Sequence, residues 1–219
     1  MIQSKDIADR VGEMTDTVDK REAVVLIHGL GAHWSLMQPL GWRLRRAGFV
    51  PLNFGYRSLT SDIETHAAAL ADWLSKIDSE GTYWRIHVVA HSLGAILIRH
   101  VLLTHRYEHL GRIVMLTPPN RGSHVVTLFS SYLPSSWRTI RQLADDEGSF
   151  VNRLPQTLTA ETGIIVAAGD RVVREIATQL NGATEYVRVP GMHTAVLFRP
   201  CVAELCSHFL HTGTFASTA

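Results

Sequence analysis

The hydrophobic and polar positions of this chain alternate between short apolar runs and longer amphipathic segments. The strand-like run AVVLIHG (23–29) is followed by a stretch with apolar residues at helical spacing (34–48). This alternation is typical of βαβ units, so it predicts an α/β fold with a mainly parallel central sheet and helices on both faces. Further strands are predicted at 49–56, 84–90, 112–117, 163–169 and 184–190, and further helices at 61–80, 93–105 and about 200–211.

The helix predicted at 61–80 begins with a recognisable start signal. Ser61 or Asp62 can act as its N-cap, and Glu64 lies three residues after Ser61. This spacing is that of a capping box, in which the cap and the acidic side chain each bind a backbone N–H group of the other residue.

The pattern predicts one domain with a loosely patterned segment inside it. A length of 219 residues is within the range of a single α/β domain. We predict an N-terminal arm over 1–21 and a single domain over 22–219, with a short insertion at about 119–162. The insertion is either the wall of a pocket or a surface excursion with its own small core. Its larger apolar residues would then line an acyl pocket or be buried in a core: Phe129, Tyr132, Leu133 and Trp137.

The composition favours a globular protein that does not bind nucleic acid. Hydrophobic residues make up 46% of the chain and charged residues 19%, which is enough apolar surface for a sizeable core. The 21 Lys and Arg balance the 20 Asp and Glu to a formal net charge of +1, and no basic block is present. Nucleic acid is therefore not expected as a partner, and the oligomeric state is left open.

The N-terminal segment and the two cysteines bear on the location of the protein. The segment lacks the apolar core of about 7 to 15 residues that a secretory signal has, and no window of about 18 residues is apolar enough to span a membrane. Cys201 and Cys206 lie in one predicted helix at a spacing that points them to different faces, so no disulfide is expected. We therefore expect a cytoplasmic protein without a membrane span.

The segment VVAHSLGAIL (88–97) places Ser92 between a predicted strand and a predicted helix. Its A-x-S-x-G pattern, with Ala90 in the first position, is a variant of the G-x-S-x-G turn that exposes a nucleophilic serine. A serine at a strand-to-helix junction can equally be an ordinary helix cap. The motif alone leaves both interpretations open.

A nucleophilic serine needs a base, and the base needs an acid that orients it. Among the twelve histidines, His193 is the only one in a loop between the last predicted strand and the last predicted helix. Asp170 directly follows the penultimate strand, which leaves room for a helix and a strand before His193. We therefore predict Ser92, Asp170 and His193 as the catalytic residues. Less suitably placed acids are Asp145, Asp146, Glu147, Glu175 and Glu185.

Acyl transfer also requires hydrogen-bond donors for the negative oxygen that develops in the transition state. The segment HGLGAHW (28–34) follows the first long strand, and its two glycines allow the backbone to turn an amide into the site. We predict the backbone N–H groups of Leu30 and Leu93 as these donors.

Two further histidines are interpreted as structural, and three others are not expected to bind a metal. His28 would brace the turn after the first strand, and His91 flanks Ser92. His100, His105 and His109 straddle a helix end, and no carboxylate or cysteine completes a metal-binding set with them. Neither a metal nor a cofactor is expected.

The chain resembles the α/β-hydrolase superfamily, and within it the small lidless bacterial lipases and carboxylesterases. The resemblance covers about residues 22–211 and implies the minimal form of that fold. It also implies a Ser92, Asp170, His193 triad in that chain order, oxyanion donors at Leu30 and Leu93, and action on carboxylic esters. It rests on five segments in the right order: VVLIHGLGAHWSLM, VVAHSLGAIL, LTPPNRGS, AAGDRVV and VPGMHTAVLFRP.

We therefore expect a serine hydrolase of the esterase or lipase kind that cleaves a small-molecule ester through an acyl-enzyme intermediate. The lidless design suggests soluble esters with short to medium chains. Thioesterase, acyltransferase or amidase activity on the same triad is an alternative, because the pocket sets the substrate. A non-catalytic binding protein on the same scaffold is a further alternative.

Overall fold

The fold is built on a sheet of six parallel strands. The structure is a computed structural model that describes residues 21–129, 132, 134 and 137–215. The strand order is β2-β1-β3-β4-β5-β6, and each neighbouring pair is parallel, which confirms the predicted sheet. The strands are β1 (Glu22–Ile27), β2 (Val50–Phe54), β3 (Arg85–His91), β4 (Leu110–Leu116), β5 (Thr162–Ala167) and β6 (Glu185–Val189).

Helices cover both faces of this sheet. Within the described ranges the α-helices are α1 (Gln38–Arg46), α2 (Ile63–Ser79), α3 (Leu93–Thr104), α4 (His124–Phe129), α5 (Arg138–Gln142), α6 (Phe150–Arg153) and α7 (Pro200–Thr212). Short 3-10 helices span Trp34–Met37, Glu175–Thr178 and Ala195–Phe198. The connection from β5 to β6 thus contains a 3-10 turn where the sequence left room for a helix.

Strand β1 shows why the central strands are apolar on both sides. Successive side chains of a strand point to opposite faces of the sheet. Val25 and Ile27 pack in a core with α2 and α3, whereas Val24 and Leu26 pack in a second core with α1 and α7. Both faces are buried, so the strand is a continuous apolar run rather than an alternating one.

Helix α2 starts differently from the predicted capping box. Asp62, not Ser61, is its N-cap, and the Asp62 carboxylate accepts a hydrogen bond of 2.9 Å from the Thr65 N–H. The Glu64 carboxylate accepts a bond from the side chain of Gln142 instead of reaching back to the cap. The capping box is therefore wrong, and the Asp62 alternative is confirmed.

The segment between β4 and β5 contains the short helices α4, α5 and α6, and its two ends are tied to α3 by a buried cation. The guanidinium of Arg99, which is 1% exposed, donates to the carbonyl and side-chain oxygens of Asn120 at 3.0 and 3.1 Å and to the Pro155 carbonyl at 3.0 Å. Burial lowers the pKa of Arg99 to about 10, so the group stays charged at neutral pH. The predicted boundaries of the N-terminal arm and of the insertion stay predictions. Residues 1–20 lie outside the described part.

A buried histidine occupies an irregularity between β3 and β4. The register of this pair shifts between Ile86 and Val88, and the His87 side chain is fully buried there. Its Nδ1 accepts a hydrogen bond of 2.9 Å from the Arg112 N–H. Burial, with a smaller contribution from Arg112, lowers the pKa of His87 to about 4. The imidazole is therefore neutral in the folded protein.

The neutral state of His87 predicts a stability that falls with acidification. Between its ordinary pKa near 6.5 and about 4, the unfolded chain binds a proton that the folded chain does not. This contribution to stability is complete above the ordinary pKa and is lost as the pH falls. Replacing His87 by Asn keeps an acceptor for the Arg112 N–H but removes the titration. Between about pH 7.5 and about pH 5, the drop in the unfolding midpoint should be smaller for His87→Asn than for the wild type. An equal drop in both proteins would contradict the assignment.

Candidate active site

The predicted site residues meet at one edge of the sheet. Ser92 follows β3, Asp170 follows β5 and His193 follows β6. All the strands are parallel, so their carboxyl ends lie at the same edge, where ligands of open α/β sheets bind. The structure brings these three residues into direct contact, although the chain separates Ser92 from His193 by 101 positions.

The turn at Ser92 has an unusual backbone conformation. Its φ and ψ are 52° and −119°, and a positive φ is uncommon for any residue other than glycine. Its N–H donates to the Leu116 carbonyl at 2.9 Å, which fastens the turn to β4. The serine occupies the N-cap position of α3, yet its side chain makes no capping hydrogen bond. The interpretation of Ser92 as an ordinary cap is therefore wrong.

Two glycines allow the surrounding backbone to approach this turn. A Cβ atom on Gly29 would lie 2.8 Å from His91 Nδ1 and 3.0 Å from Ser92 Cβ. A Cβ atom on Gly94 would lie 2.6 Å from the Ile27 carbonyl oxygen. All three distances are shorter than normal van der Waals contact, so the turn fits only where these positions lack a side chain.

The side chains form a continuous hydrogen-bond chain. His193 Nε2 lies 2.9 Å from Ser92 Oγ, and His193 Nδ1 lies 2.7 Å from Asp170 Oδ2. The other carboxylate oxygen, Oδ1, accepts hydrogen bonds of 2.8 and 2.9 Å from the N–H groups of Val172 and Val173. The carboxylate is thus held at both oxygens, and it can orient the imidazole toward the serine.

These bonds keep Asp170 ionised. Burial alone would raise the pKa of Asp170, but the hydrogen bond from His193 and the two backbone bonds outweigh that effect and lower it. The loop of Asp170 is also tied to that of His193, because the Gly169 N–H donates to the Gly191 carbonyl at 2.8 Å. The acid and the imidazole are therefore positioned together.

One predicted oxyanion donor, Leu93, directly follows Ser92, and the other, Leu30, comes from the turn after β1. Leu93 is the first residue of α3, so its N–H has no acceptor within the helix. Leu30 lines the same cavity as Ser92. The next residue, Gly31, has φ of 67° and donates its N–H to Ser58 Oγ at 2.9 Å, which shapes the turn. The role of the two amides stays a prediction.

Ser92 and His193 open into a mainly apolar cavity of about 230 Å³. The segment between β4 and β5 forms part of its wall, as one of the two sequence interpretations proposed. A larger groove of about 620 Å³ runs between α1 and α7, and its described lining includes none of the predicted site residues. The apolar lining of the smaller cavity comprises Leu30, Ala32, Leu36, Pro119, Val126, Leu143, Val172 and Val173.

The three described aromatic residues expected to line an acyl pocket or a core are exposed and lie outside the cavity of Ser92. Phe129 is 57% exposed, Tyr132 84% and Trp137 39%, and none of them lines the cavity that contains Ser92. Leu133 lies outside the described residues. The cavity is lined instead by aliphatic residues from loops and short helices, which long-range helical or strand periodicity cannot reveal.

The sequence predicts no role in the site for two residues that lie near it, His91 and Thr117. His91 Nε2 lies 3.1 Å from the His193 backbone carbonyl oxygen, and the Thr117 hydroxyl lies 3.4 Å from the same oxygen. The position of His91 beside Ser92 was an available signal. The sequence contains no signal for the role of Thr117. Its φ of 47° is rare for a β-branched residue, so the sequence does not predict the backbone turn that directs its hydroxyl.

His28 has the bracing part expected of it. Its Nδ1 bonds the Gly29 carbonyl at 2.9 Å, and its ring stacks on Tyr56 with centroids 4.3 Å apart.

Within the described part of the chain, no group of three or more His, Cys, Asp or Glu residues is arranged to hold a metal ion. The helices of that part include none with the length and apolar character needed to cross a bilayer.

Comparison with known proteins finds one matching family model and several solved structures of similar fold. Residues 24–160 match the model of the alpha/beta hydrolase family. No curated protein matches the chain. Similar solved structures include the mature Bacillus licheniformis lipase BlEst2, with 15% identity, a TM-score of 0.68 and coverage of 90% of this chain and 93% of that one. Aspergillus fumigatus lipase B has 13% identity and a TM-score of 0.73 over 90% of this chain and 54% of that one. A metagenomic carboxyl esterase has 15% identity and a TM-score of 0.64 over 81% and 66%. At these identities the likeness shows the fold.

The packing at Gly94 predicts that a single methyl group will destabilise the protein. Alanine favours a helix more than glycine does, but at position 94 its Cβ would collide with the Ile27 carbonyl. We expect Gly94→Ala to lower the free energy of unfolding by about 1–3 kcal/mol, measured by chemical denaturation. Gly148→Ala is the control, because the nearest atom to its Cβ would be 3.6 Å away. A Gly94→Ala protein as stable as the wild type would contradict the packing argument.

Proposed function

Because this chain belongs to the alpha/beta hydrolase family, we propose that it is a serine hydrolase that cleaves carboxylic esters through an acyl-enzyme intermediate. One observation carries the proposal. The hydrogen-bond chain from Ser92 through His193 to Asp170 has the atoms and distances that a serine nucleophile, its base and an orienting acid require. The positive φ of Ser92 supports the same assignment, since it turns the hydroxyl away from the helix and toward the imidazole.

In the proposed mechanism, His193 Nε2 takes the proton of Ser92 as Oγ attacks the ester carbonyl carbon. The carbonyl oxygen becomes negative, and the N–H groups of Leu30 and Leu93 donate hydrogen bonds to it. His193 then gives the proton to the leaving alkoxide, which departs as an alcohol and leaves the acyl group on Ser92. Water then attacks the acyl-enzyme carbonyl carbon while His193 Nε2 takes its proton. His193 returns the proton to Ser92 Oγ as the carboxylic acid is released. Asp170 stays ionised and holds the imidazole in the tautomer with the proton on Nδ1.

The cavity supports an acyl group of short to medium length. Its volume of about 230 Å³ and its aliphatic lining suit a compact apolar group rather than a charged one. The lipase and esterase names of the similar structures agree with an ester substrate. The proposed location is the cytoplasm, which the free thiols of Cys201 and Cys206 support.

Replacing Ser92 by Ala tests the nucleophile. We expect kcat on p-nitrophenyl esters to fall on the order of 10⁶-fold, because the nucleophile and its base act as a unit. The series should run from acetate to palmitate, and we expect the highest kcat/KM in the first half of that range. A Ser92→Ala protein that keeps wild-type activity would overturn the proposal.

Labelling by a fluorophosphonate probe separates Ser92 from other serines of the cavity. Ser123 also lines the cavity, where its hydroxyl donates to the Val172 carbonyl. Ser92→Ala should lose the covalent label, whereas Ser123→Ala should retain it. Labelling that persists in Ser92→Ala would locate the nucleophile elsewhere.

Replacing Asp170 by Asn tests the tautomer. The Asn oxygen can still accept from the N–H groups of Val172 and Val173, which leaves the amide NH₂ facing His193 Nδ1. Nδ1 must then accept, the proton moves to Nε2, and His193 can no longer take the Ser92 proton. We expect kcat to fall on the order of 10⁴-fold. Asp146→Asn, a change at one of the competing acids, should keep wild-type kcat. A decrease of less than about tenfold for Asp170→Asn would contradict the assignment.

A further inference from the structure

The backbone carbonyl of His193 accepts from two side chains of the central strands. His91 Nε2 lies 3.1 Å from this oxygen and Thr117 Oγ1 lies 3.4 Å from it. A carbonyl oxygen only accepts hydrogen bonds, so the proton of the His91 imidazole must be on Nε2. His91 Nδ1 then carries a lone pair, and it is buried without a hydrogen-bond partner among the described residues.

His91 is held in this orientation by close packing. Its side chain is buried, and its ring centroid lies 5.1 Å from that of His193. On the other side, Gly29 approaches so closely that a Cβ there would lie 2.8 Å from His91 Nδ1. Burial, with a smaller effect of His193, lowers the pKa of His91 to about 3, so the group is a neutral donor near neutral pH.

Thr117 reaches the same oxygen from a strained backbone. Its φ of 47° is rare for a β-branched residue, and it is fully buried at the end of β4. Its N–H donates to the Ile165 carbonyl at 2.9 Å. Strain of this kind persists only where the surrounding contacts enforce it, and it is concentrated at functional sites.

The arrangement matters because His193 lies on a loop after β6, the edge strand of the sheet. Ser92 follows β3, and β4 and β5 lie between β3 and β6. The two donors, from the ends of β3 and β4, tie the loop of the edge strand back to the centre of the sheet.

We propose that His91 is a positioning residue whose neutral Nε2–H, together with the Thr117 hydroxyl, holds the His193 carbonyl so that the imidazole stays between Ser92 and Asp170. The inference rests on the proposed serine hydrolase function. It gives His91, which is interpreted as structural from the sequence, a part in positioning the proposed base. No atom of His91 exchanges with the substrate.

The first test compares two replacements of His91. Gln keeps an N–H donor near the position of Nε2, whereas Leu fills similar space without one. We expect His91→Leu to lower kcat on p-nitrophenyl butyrate by about 10- to 100-fold with KM almost unchanged, because displacement of a reacting group costs rate rather than substrate binding. His91→Gln should recover most of the loss. His87→Asn, which alters another buried histidine at a distance from the site, should keep the wild-type kcat.

A double-mutant cycle shows whether the two donors share one task. Thr117→Val removes the second hydroxyl donor at nearly constant shape. Because both side chains bind one oxygen, the loss of kcat in the His91→Leu, Thr117→Val protein should differ from the product of the single losses. Multiplicative losses, or a change in KM alone, would overturn the proposal.

A spectroscopic measurement separates this proposal from the proposed function. The proton on His193 Nδ1, bonded to Asp170 at 2.7 Å, should give a far-downfield proton NMR resonance that does not depend on any substrate. We expect it in the wild type and in His91→Gln, and we expect it to broaden or vanish in His91→Leu. If the wild type hydrolyses no ester but this pattern holds, the proposed function fails and the positioning role stands. An unchanged resonance in His91→Leu would overturn the positioning role.

Discussion

The strained turn at Ser92 is the constraint on which the rest of the site depends. A positive φ at a residue with a Cβ is unfavourable by itself, so neighbouring contacts must enforce it. Here the Leu116 carbonyl binds the Ser92 N–H, while Gly29 and Gly94 let two further pieces of backbone close around the turn. The burial of α3 offsets this cost, since Leu93, Ala95 and Ile96 of its first turn are fully buried. The hydroxyl is consequently presented from a turn that neighbouring backbone encloses.

The electrostatics around this turn are simple. Burial lowers the pKa of His28 and of His91, so both imidazoles next to the turn are neutral. The Asp170 carboxylate, with its pKa lowered by its hydrogen bonds, is the charge that faces His193. In the proposed mechanism, a developing imidazolium at His193 meets a negative partner in Asp170 and a neutral neighbour in His91, and the negative partner stabilises it.

Much of the site was predictable because it follows from strand ends. Ser92, Asp170 and His193 each lie in the turn or loop that follows a predicted strand, and parallel strands bring such positions to one edge. Other features have no local signature. The contact of His91 with the His193 carbonyl joins residues 102 positions apart, and the φ of Thr117 contradicts the usual preference of threonine. Phe129 is exposed at the end of the short helix α4, and the spacing of apolar residues does not encode how such a helix packs.

Arg99 has a consequence for how this fold can vary. Its guanidinium binds Asn120 and Pro155, near the two ends of the segment between β4 and β5, so these ends are fastened whatever lies between them. The entropic cost of closing a loop grows only by about 0.6 kcal/mol for each doubling of its length. A change in chain length within 121–154 would therefore cost little loop-closure entropy while Asn120 and Pro155 stay bound to α3. Arg99 thus separates the segment whose length can vary from the strand ends that carry Ser92 and Asp170.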